Sequence, residues 1–143
     1  MKIKFFISGI MKGGIIEQGL FDQSYRSKLY ALIKDVYPDA EIIGYDELYS
    51  EGVDGFEQRA FFELIEQASG CDVVIAFLPT ASMGTAIEIW EAYRKGKIVL
   101  TVSPLNRNWT VKFLSSRIFN DIQSLELFLQ EGSLNNLLNL RSI

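Results

Sequence analysis

The chain alternates between short runs that are hydrophobic at every position and longer stretches whose hydrophobic residues recur every three or four. Residues 3–8, 41–45, 72–78 and 97–103 are of the first kind, with VVIAFL and IVLTV the clearest cases. Consecutive apolar positions suit strands covered on both faces, the habit of a parallel sheet. Residues 21–37, 56–69 and 83–95 are of the second kind and predict helices. After Ser103-Pro104 the pattern predicts a short helix and an edge strand near 117–119. Asp121 then caps a helix running through Gln130, Gly132 stops it, and Ser133 caps a last helix over 134–140. Strands and helices in alternation predict a single α/β domain over residues 1–143. It is doubly wound, flavodoxin- or Rossmann-like, with about five parallel strands and helices on both faces. No linker, internal repeat or low-complexity stretch interrupts it.

In such a sheet, ligands bind outside the carboxyl ends of the strands, where the strand order reverses. The strand-to-helix loops over 9–20, 46–55, 79–82 and 104–108 therefore line the expected site. Asp72 begins its strand and falls about 20 Å from the far end, so it is read as a solubilising strand-edge residue.

Composition narrows the chemistry. Apolar residues make up 48% and charged residues 22%, ordinary for a globular chain of 143 residues with a core of its own. The net charge of −4 comes with no basic cluster beyond Arg94-Lys95-Gly96-Lys97 at a predicted helix end, so no nucleic-acid polymer is expected as partner. There is one cysteine, Cys71, and no histidine, which removes a disulfide framework, a Cys/His zinc site and a Cys-His nucleophile pair within one chain. No metal or cofactor is implied, and acid-base work falls to carboxylates, tyrosines or lysines. The opening MKIKFFISGI lacks the pattern of a secretion signal, and no run approaches the ~20 residues of a membrane span. A cytoplasmic protein without a membrane partner is expected.

Two segments carry candidate chemistry. SGIMKGGIIEQG after the first strand holds Gly9, Gly13, Gly14 and Gly19, whose backbone N–H groups can approach an anion or sugar, with Lys12 adding a charge; it reads equally as a flexible turn. The spacing matches neither a Walker loop nor G-x-G-x-x-G. In PTASMGTAIEIWEAY, Ser82 is a good N-cap, Gly84 and Thr85 lie in the first turn, and Glu88 follows in the second. A carboxylate near a helix N-terminus is favoured by the dipole, which predicts a lowered pKa and an ionised group. Chemistry alone leaves Glu88 open between a functional acid and a dipole-compensating surface acid.

The stretch CDVVIAFLPTASMGTAIEIWEAYRKGKIVLTVSP resembles the nucleoside 2-deoxyribosyltransferase superfamily, including its nucleotide N-glycosidase branch. The resemblance lies in the order: an A-D-V-V-V-A-type strand, a loop, a small-residue segment with Gly, a helix carrying a nucleophilic Glu, then A-x-x-x-G-K and another apolar strand. The opening FFISGIMKGG is similar to the glycine-rich first loop of the glycosidase branch. The resemblance implies Glu88 as nucleophile, Ser82 near the ligand, and Ser8, Gly9, Lys12, Gly13, Gly14 and Gly84 around the substrate. The loop departs from the branch pattern G-S-I-R-G-G-R: Ile10 replaces the serine, Lys12 the first arginine and Ile15 the second. Ile cannot supply the charge-assisted bonds of a hydroxyl or guanidinium, so a nucleoside stands beside a 5′-monophosphate as the expected small-molecule substrate.

The resemblance further implies an acid from the second crossover helix. Glu63 is one residue off that spacing, with Asp54 and Glu57 as rivals. Tyr25, Tyr45 and Tyr93 are candidates to stack on a base or orient Glu88, or else core residues. The implied reaction breaks an N-glycosidic bond through a covalent glycosyl-Glu intermediate. A non-catalytic nucleotide-binding module is the alternative. A homo-oligomer, a dimer or larger, with shared sites is implied as well. Asn106 and Asn108 would reach a neighbour's substrate, and Trp109, Val111, Phe113 and Leu114 would form the contact. Trp109 has a second reading, as filler between the last helix and the sheet.

Overall fold

The computed structural model describes residues 2–10 and 22–141. Its elements follow in the order β1 (Lys4–Gly9), α1 (Ser24–Val36), β2 (Glu41–Gly44), α2 (Tyr45–Leu48), α3 (Glu57–Gly70), β3 (Val73–Phe77), α4 (Met83–Arg94), β4 (Ile98–Val102), α5 (Trp109–Leu114), β5 (Arg117–Phe119), α6 (Ile122–Gln130) and α7 (Ser133–Arg141). The five strands form one sheet in the order β2-β1-β3-β4-β5, and every pair is parallel. The doubly wound domain expected from the pattern is the observed one.

Successive strand residues point to opposite faces, and two separate cores result. On one face Phe5, Ile7, Val73, Ile75, Ile98, Leu100 and Val102 pack against Tyr25, Leu29 and Ile33 of α1, Leu125 and Leu129 of α6, and Leu134 of α7. On the other, Phe6, Val74, Ala76 and Val99 pack against Ala68 of α3 and Ile89 and Ala92 of α4. Both faces of the central strands are covered, which is why their sequences are apolar without alternation.

Short-range signals end the helices where the sequence predicts. Ser82 Oγ accepts from the Thr85 amide at 3.3 Å, Asp121 Oδ1 accepts from the Ser124 amide at 2.8 Å, and Gly132 adopts φ +77° between α6 and α7. Several boundaries differ from expectation by a residue or more, and Ser133, expected to cap the last helix, lies within α7; one difference bears on the site. The second strand stops at Gly44, and Tyr45 opens the short helix α2 instead of completing the strand. A Cβ at Gly44 would lie 3.1 Å from the Ile7 carbonyl oxygen and 3.1 Å from Glu47 Oε1, so the chain turns out of the sheet where only glycine fits comfortably.

The order β2-β1-β3 puts the reversal point between β1 and β3. The chain leaves β1 to one side to make β2, then crosses back to make β3. The carboxyl ends of β1 and β3 are paired at Ser8 with Ala76 and at Gly9 with Phe77, and α4 departs from the loop after β3.

Candidate active site

At this reversal point Ser8 and Glu88, 80 residues apart in the chain, meet: the Ser8 hydroxyl donates a short hydrogen bond to Glu88 Oε1. Ser8 is buried at the end of β1. Glu88 sits on the sheet-facing side of α4, one turn after buried Thr85 and beside buried Ile89. From there its carboxyl points back toward the end of β1.

Beneath this pair lies Arg26 of α1, 5% exposed. Its Nε donates to Gln23 Oε1 at 2.7 Å, its Nη1 to the Ile7 carbonyl at 3.3 Å and its Nη2 to the Gly9 carbonyl at 3.3 Å. Tyr25 stacks on Phe77 with ring centroids 4.5 Å apart and donates its hydroxyl to the Ile10 carbonyl at 3.3 Å. Of the three tyrosines considered, Tyr25 is thus a core residue at the edge of the site. Tyr45 packs against Tyr49, and Tyr93 is exposed beside Trp90.

The electrostatics correct one expectation. The helix dipole predicts a lowered Glu88 pKa, but burial pushes the group up to about 7, against the weaker pull of the Ser8 hydrogen bond and the Arg26 charge. The residue keeps some solvent-accessible surface, yet protein atoms enclose the carboxyl itself. Lost hydration of the charged form outweighs a helix-end effect of 0.3–1 kcal/mol, roughly. A second acid behaves similarly. Glu47, at the start of α2, is held above the ordinary glutamate range by burial and then by neighbouring Asp46, with Arg26 pulling it back, although the residue keeps much of its surface in water.

Ser82 and Asn108 line a common pocket of about 190 Å³ with Leu78, Met83, Ala86, Leu105 and Val111. Asn108 Oδ1 accepts from the amides of Thr110 and Val111, so it also caps α5. Gly84 lies in the first turn of α4 with open space around it. Glu63 lines a different groove with Leu48, Tyr49, Phe56 and Arg59, and Asp54 is exposed in the turn before α3. Lys12, Gly13 and Gly14 lie outside the described residues. Asp72 accepts from the Lys4 amide at the opposite edge of the sheet, as expected of a residue outside the site.

No family model matches the sequence, and no curated protein matches it significantly. Solved structures do. A 2-deoxyribosyltransferase from Bacillus psychrosaccharolyticus matches with a TM-score of 0.66 at 19% identity, over 86% of this chain and 90% of its own. A conserved protein from Enterococcus faecalis V583 matches with 0.66 at 18% identity, over 92% and 99%. A CMP N-glycosidase from Clostridium botulinum matches with 0.51 at 19% identity, over 92% and 98%. The chain shares their fold. One is named a 2-deoxyribosyltransferase and another a CMP N-glycosidase, the two kinds of activity that the sequence resemblance implies.

Sequence reasoning missed two residues that the fold brings to this crevice, Arg26 and Glu47. Arg26 left a signal: it lies three and seven residues before Leu29 and Ile33 on the apolar stripe of α1, where a cation has no place unless it is partnered. Glu47 left a weaker one: it is an acid in the strand-to-helix loop 46–55 expected to line the site, but nothing in the sequence sets it apart from Asp46 beside it.

Proposed function

We propose that the protein breaks or transfers the N-glycosidic bond of a nucleoside or nucleotide, with Glu88 as nucleophile. The observation that carries this reading is the Glu88 carboxyl held by Ser8 at the reversal point of the sheet, where this class of fold binds its ligands. The fold it shares with a 2-deoxyribosyltransferase and a CMP N-glycosidase supports it. A Glu88 oxygen attacks C1′ of the sugar, the bond from C1′ to the base nitrogen breaks, and a glycosyl ester forms. Water or a second base then takes the sugar with net retention. Ser8 orients the attacking carboxylate, and the N-terminal turn of α4 with Ser82 and Gly84 borders the substrate, as do Gly9 and the Lys12-Gly13-Gly14 segment.

The departing base needs a proton. Glu63 and Asp54 are the donors suggested by sequence. Glu47 joins them because it lies within reach of Arg26's charge alongside Glu88, and burial raises its pKa. We assign the active unit as a homo-oligomer in which Asn108 and the α5 segment border a neighbour's site.

The test is incubation with a panel of nucleosides and 5′-monophosphates, with and without an acceptor base. Free base without acceptor means hydrolysis, and a new nucleoside means transfer. Saturable binding with neither product rejects the enzyme in favour of a binding module. Glu88→Gln is isosteric but a poor nucleophile, so it should abolish base release while leaving the fold intact. Turnover within tenfold of the parent protein removes Glu88 from the chemistry.

A further inference from the structure

The strand pairing leaves one side of Ser8 open. β2 ends at Gly44, the partner of Ile7, so beyond that point β1 keeps a neighbouring strand only on the β3 side. Arg26 fills the other side. The two carbonyls that its guanidinium grips, those of Ile7 and Gly9, flank Ser8 in the chain, and Ser8 is the residue whose hydroxyl meets Glu88. Nε is tied to Gln23, and the guanidinium carbon lies 5.0 Å from the centre of the Tyr25 ring, so the fork is itself held in place. A planar, permanently charged fork can hold two carbonyls at a fixed spacing, whereas an ammonium is a point donor on a flexible stem.

We propose that Arg26 is a positioning residue for Glu88: it clamps the backbone on both sides of Ser8, keeps the Ser8 hydroxyl on the Glu88 carboxyl, and supplies a buried positive charge beneath it. The role deepens the reading of Glu88 as nucleophile and rests on it for its catalytic meaning. The side-chain geometry stands independently of that reading.

Charged and titratable groups that act on one another in this cluster include Tyr25 and Arg26 from α1, Asp46 and Glu47 from α2, and Glu88 from α4. Arg26 is the cation of that group. Its removal leaves acids and a phenol around a buried carboxyl, and Glu88 then holds its proton to higher pH. The same removal frees the end of β1, so Ser8 no longer fixes the direction of the attacking oxygen.

The experiment compares Arg26→Met, Arg26→Lys, Ser8→Ala and the double variant Arg26→Lys/Ser8→Ala with the parent chain. The Glu88 carboxyl carbon is followed by NMR across pH in protein labelled at glutamate, with Glu88→Gln to assign the signal. Arg26→Met should raise the Glu88 midpoint by about one pH unit, the effect of losing a nearby opposite charge. The acid limb of base release should move with it. Arg26→Lys keeps the charge and loses the fork, so the midpoint should stay within a few tenths of a unit while kcat falls on the order of tenfold with KM little changed. If Arg26 acts through Ser8, adding Arg26→Lys to Ser8→Ala should cost little more than Ser8→Ala alone. A lower Tm for Arg26→Met with an unmoved Glu88 midpoint would overturn the proposal, as would additive losses in the double variant. Should Arg26→Met not fold, the lysine variant and the cycle with Ser8 decide the matter alone. If the parent chain releases no base from any substrate, the proposed reaction fails. The Glu88 titrations of Arg26→Met and Arg26→Lys still decide the charge role: an unmoved midpoint in Arg26→Met overturns the proposal, and a raised midpoint in Arg26→Met but not in Arg26→Lys supports it.

Discussion

At the scale of the residue, Glu88 ties activity and stability to pH in opposite directions. A nucleophilic carboxyl must be ionised, and with its pKa near 7 in the folded chain, kcat/KM for base release should rise with pH toward about 7, then fall at higher pH as the acid that protonates the base loses its proton. A profile already flat at pH 5 would contradict the burial of this group. Stability runs the other way. The folded value lies above the ordinary 4.5, so between pH 4.5 and 7 the unfolded chain loses this proton before the folded one does. The penalty for burying the charge grows across that window and is complete above it. Glu88→Gln should therefore raise stability at pH 8 by about 3 kcal/mol and hardly at all at pH 4.5, measured by denaturant titration at both pH values. Gly9 makes a second test at this scale. A Cβ there would overlap the Tyr25 hydroxyl and lie 2.7 Å from its ring carbon Cζ. Gly9→Ala should push Tyr25 off Phe77 and the Ile10 carbonyl and cost about 1–3 kcal/mol, visible as a lowered Tm and a changed tyrosine near-UV signal.

At the scale of the element, α4 presents Glu88 because its start is pinned. Ser82 accepts from the Thr85 amide, which sets where the first turn begins, and the helix then turns Thr85, Glu88, Ile89 and Ala92 toward the sheet. Thr85 and Ile89 are four residues apart and stack on one side, with Glu88 beside them. Loss of the cap in Ser82→Ala should cost about 1 kcal/mol, or about 4 °C in Tm. Ser82 also borders the pocket before α4. If it touches substrate, Ser82→Ala should raise KM beyond what a control cap variant at Asp121 does for a similar Tm loss. Equal kinetic effects at the two caps would limit Ser82 to its structural role.

At the scale of the whole molecule, one side of the protomer exposes large apolar groups. Trp109 is 77% exposed, Phe113 58%, Met83 87% and Trp90 47%, carried on α4 and α5, which pack against each other. The alternative in which Trp109 fills the core beneath the last helix is overturned: its neighbour Val111 is buried, and Trp109 points outward. Apolar groups gathered in this way mark contact surfaces in soluble proteins. Light scattering should show a dimer or larger, and Trp109→Ala should weaken association by about 2 kcal/mol, or about thirtyfold in Kd, without lowering protomer stability by a comparable amount. Because Asn108 caps α5, its functional role is better probed by Asn108→Ser, which keeps a capping oxygen. Mixing Asn108→Ser with Glu88→Gln protein should restore activity if sites are shared. A fully active monomer at working concentration would refute the assembly.

Much of this protein is legible in its sequence because the deciding interactions are local. Consecutive apolar residues in VVIAFL and IVLTV determine strands covered on both faces, and Ser82, Asp121 and Gly132 determine helix ends through bonds and dihedral angles spanning a few residues. Together with the alternation of elements, these determine the fold class and place Glu88 beside a strand-to-helix loop. Only the tertiary structure decides what surrounds it. The order β2-β1-β3 brings Ser8 to Glu88 across 80 residues, the early end of β2 leaves the opening that Arg26 occupies, and Glu47 arrives with α2 instead of a longer strand. The charge state of Glu88 shows the division most sharply. The helix dipole is a property of the element and predicts a lowered pKa, whereas desolvation depends on every group packed around the carboxyl, and it raises the pKa. Periodicity records the first of these effects and carries no trace of the second, because enclosure exists only once distant segments have come together.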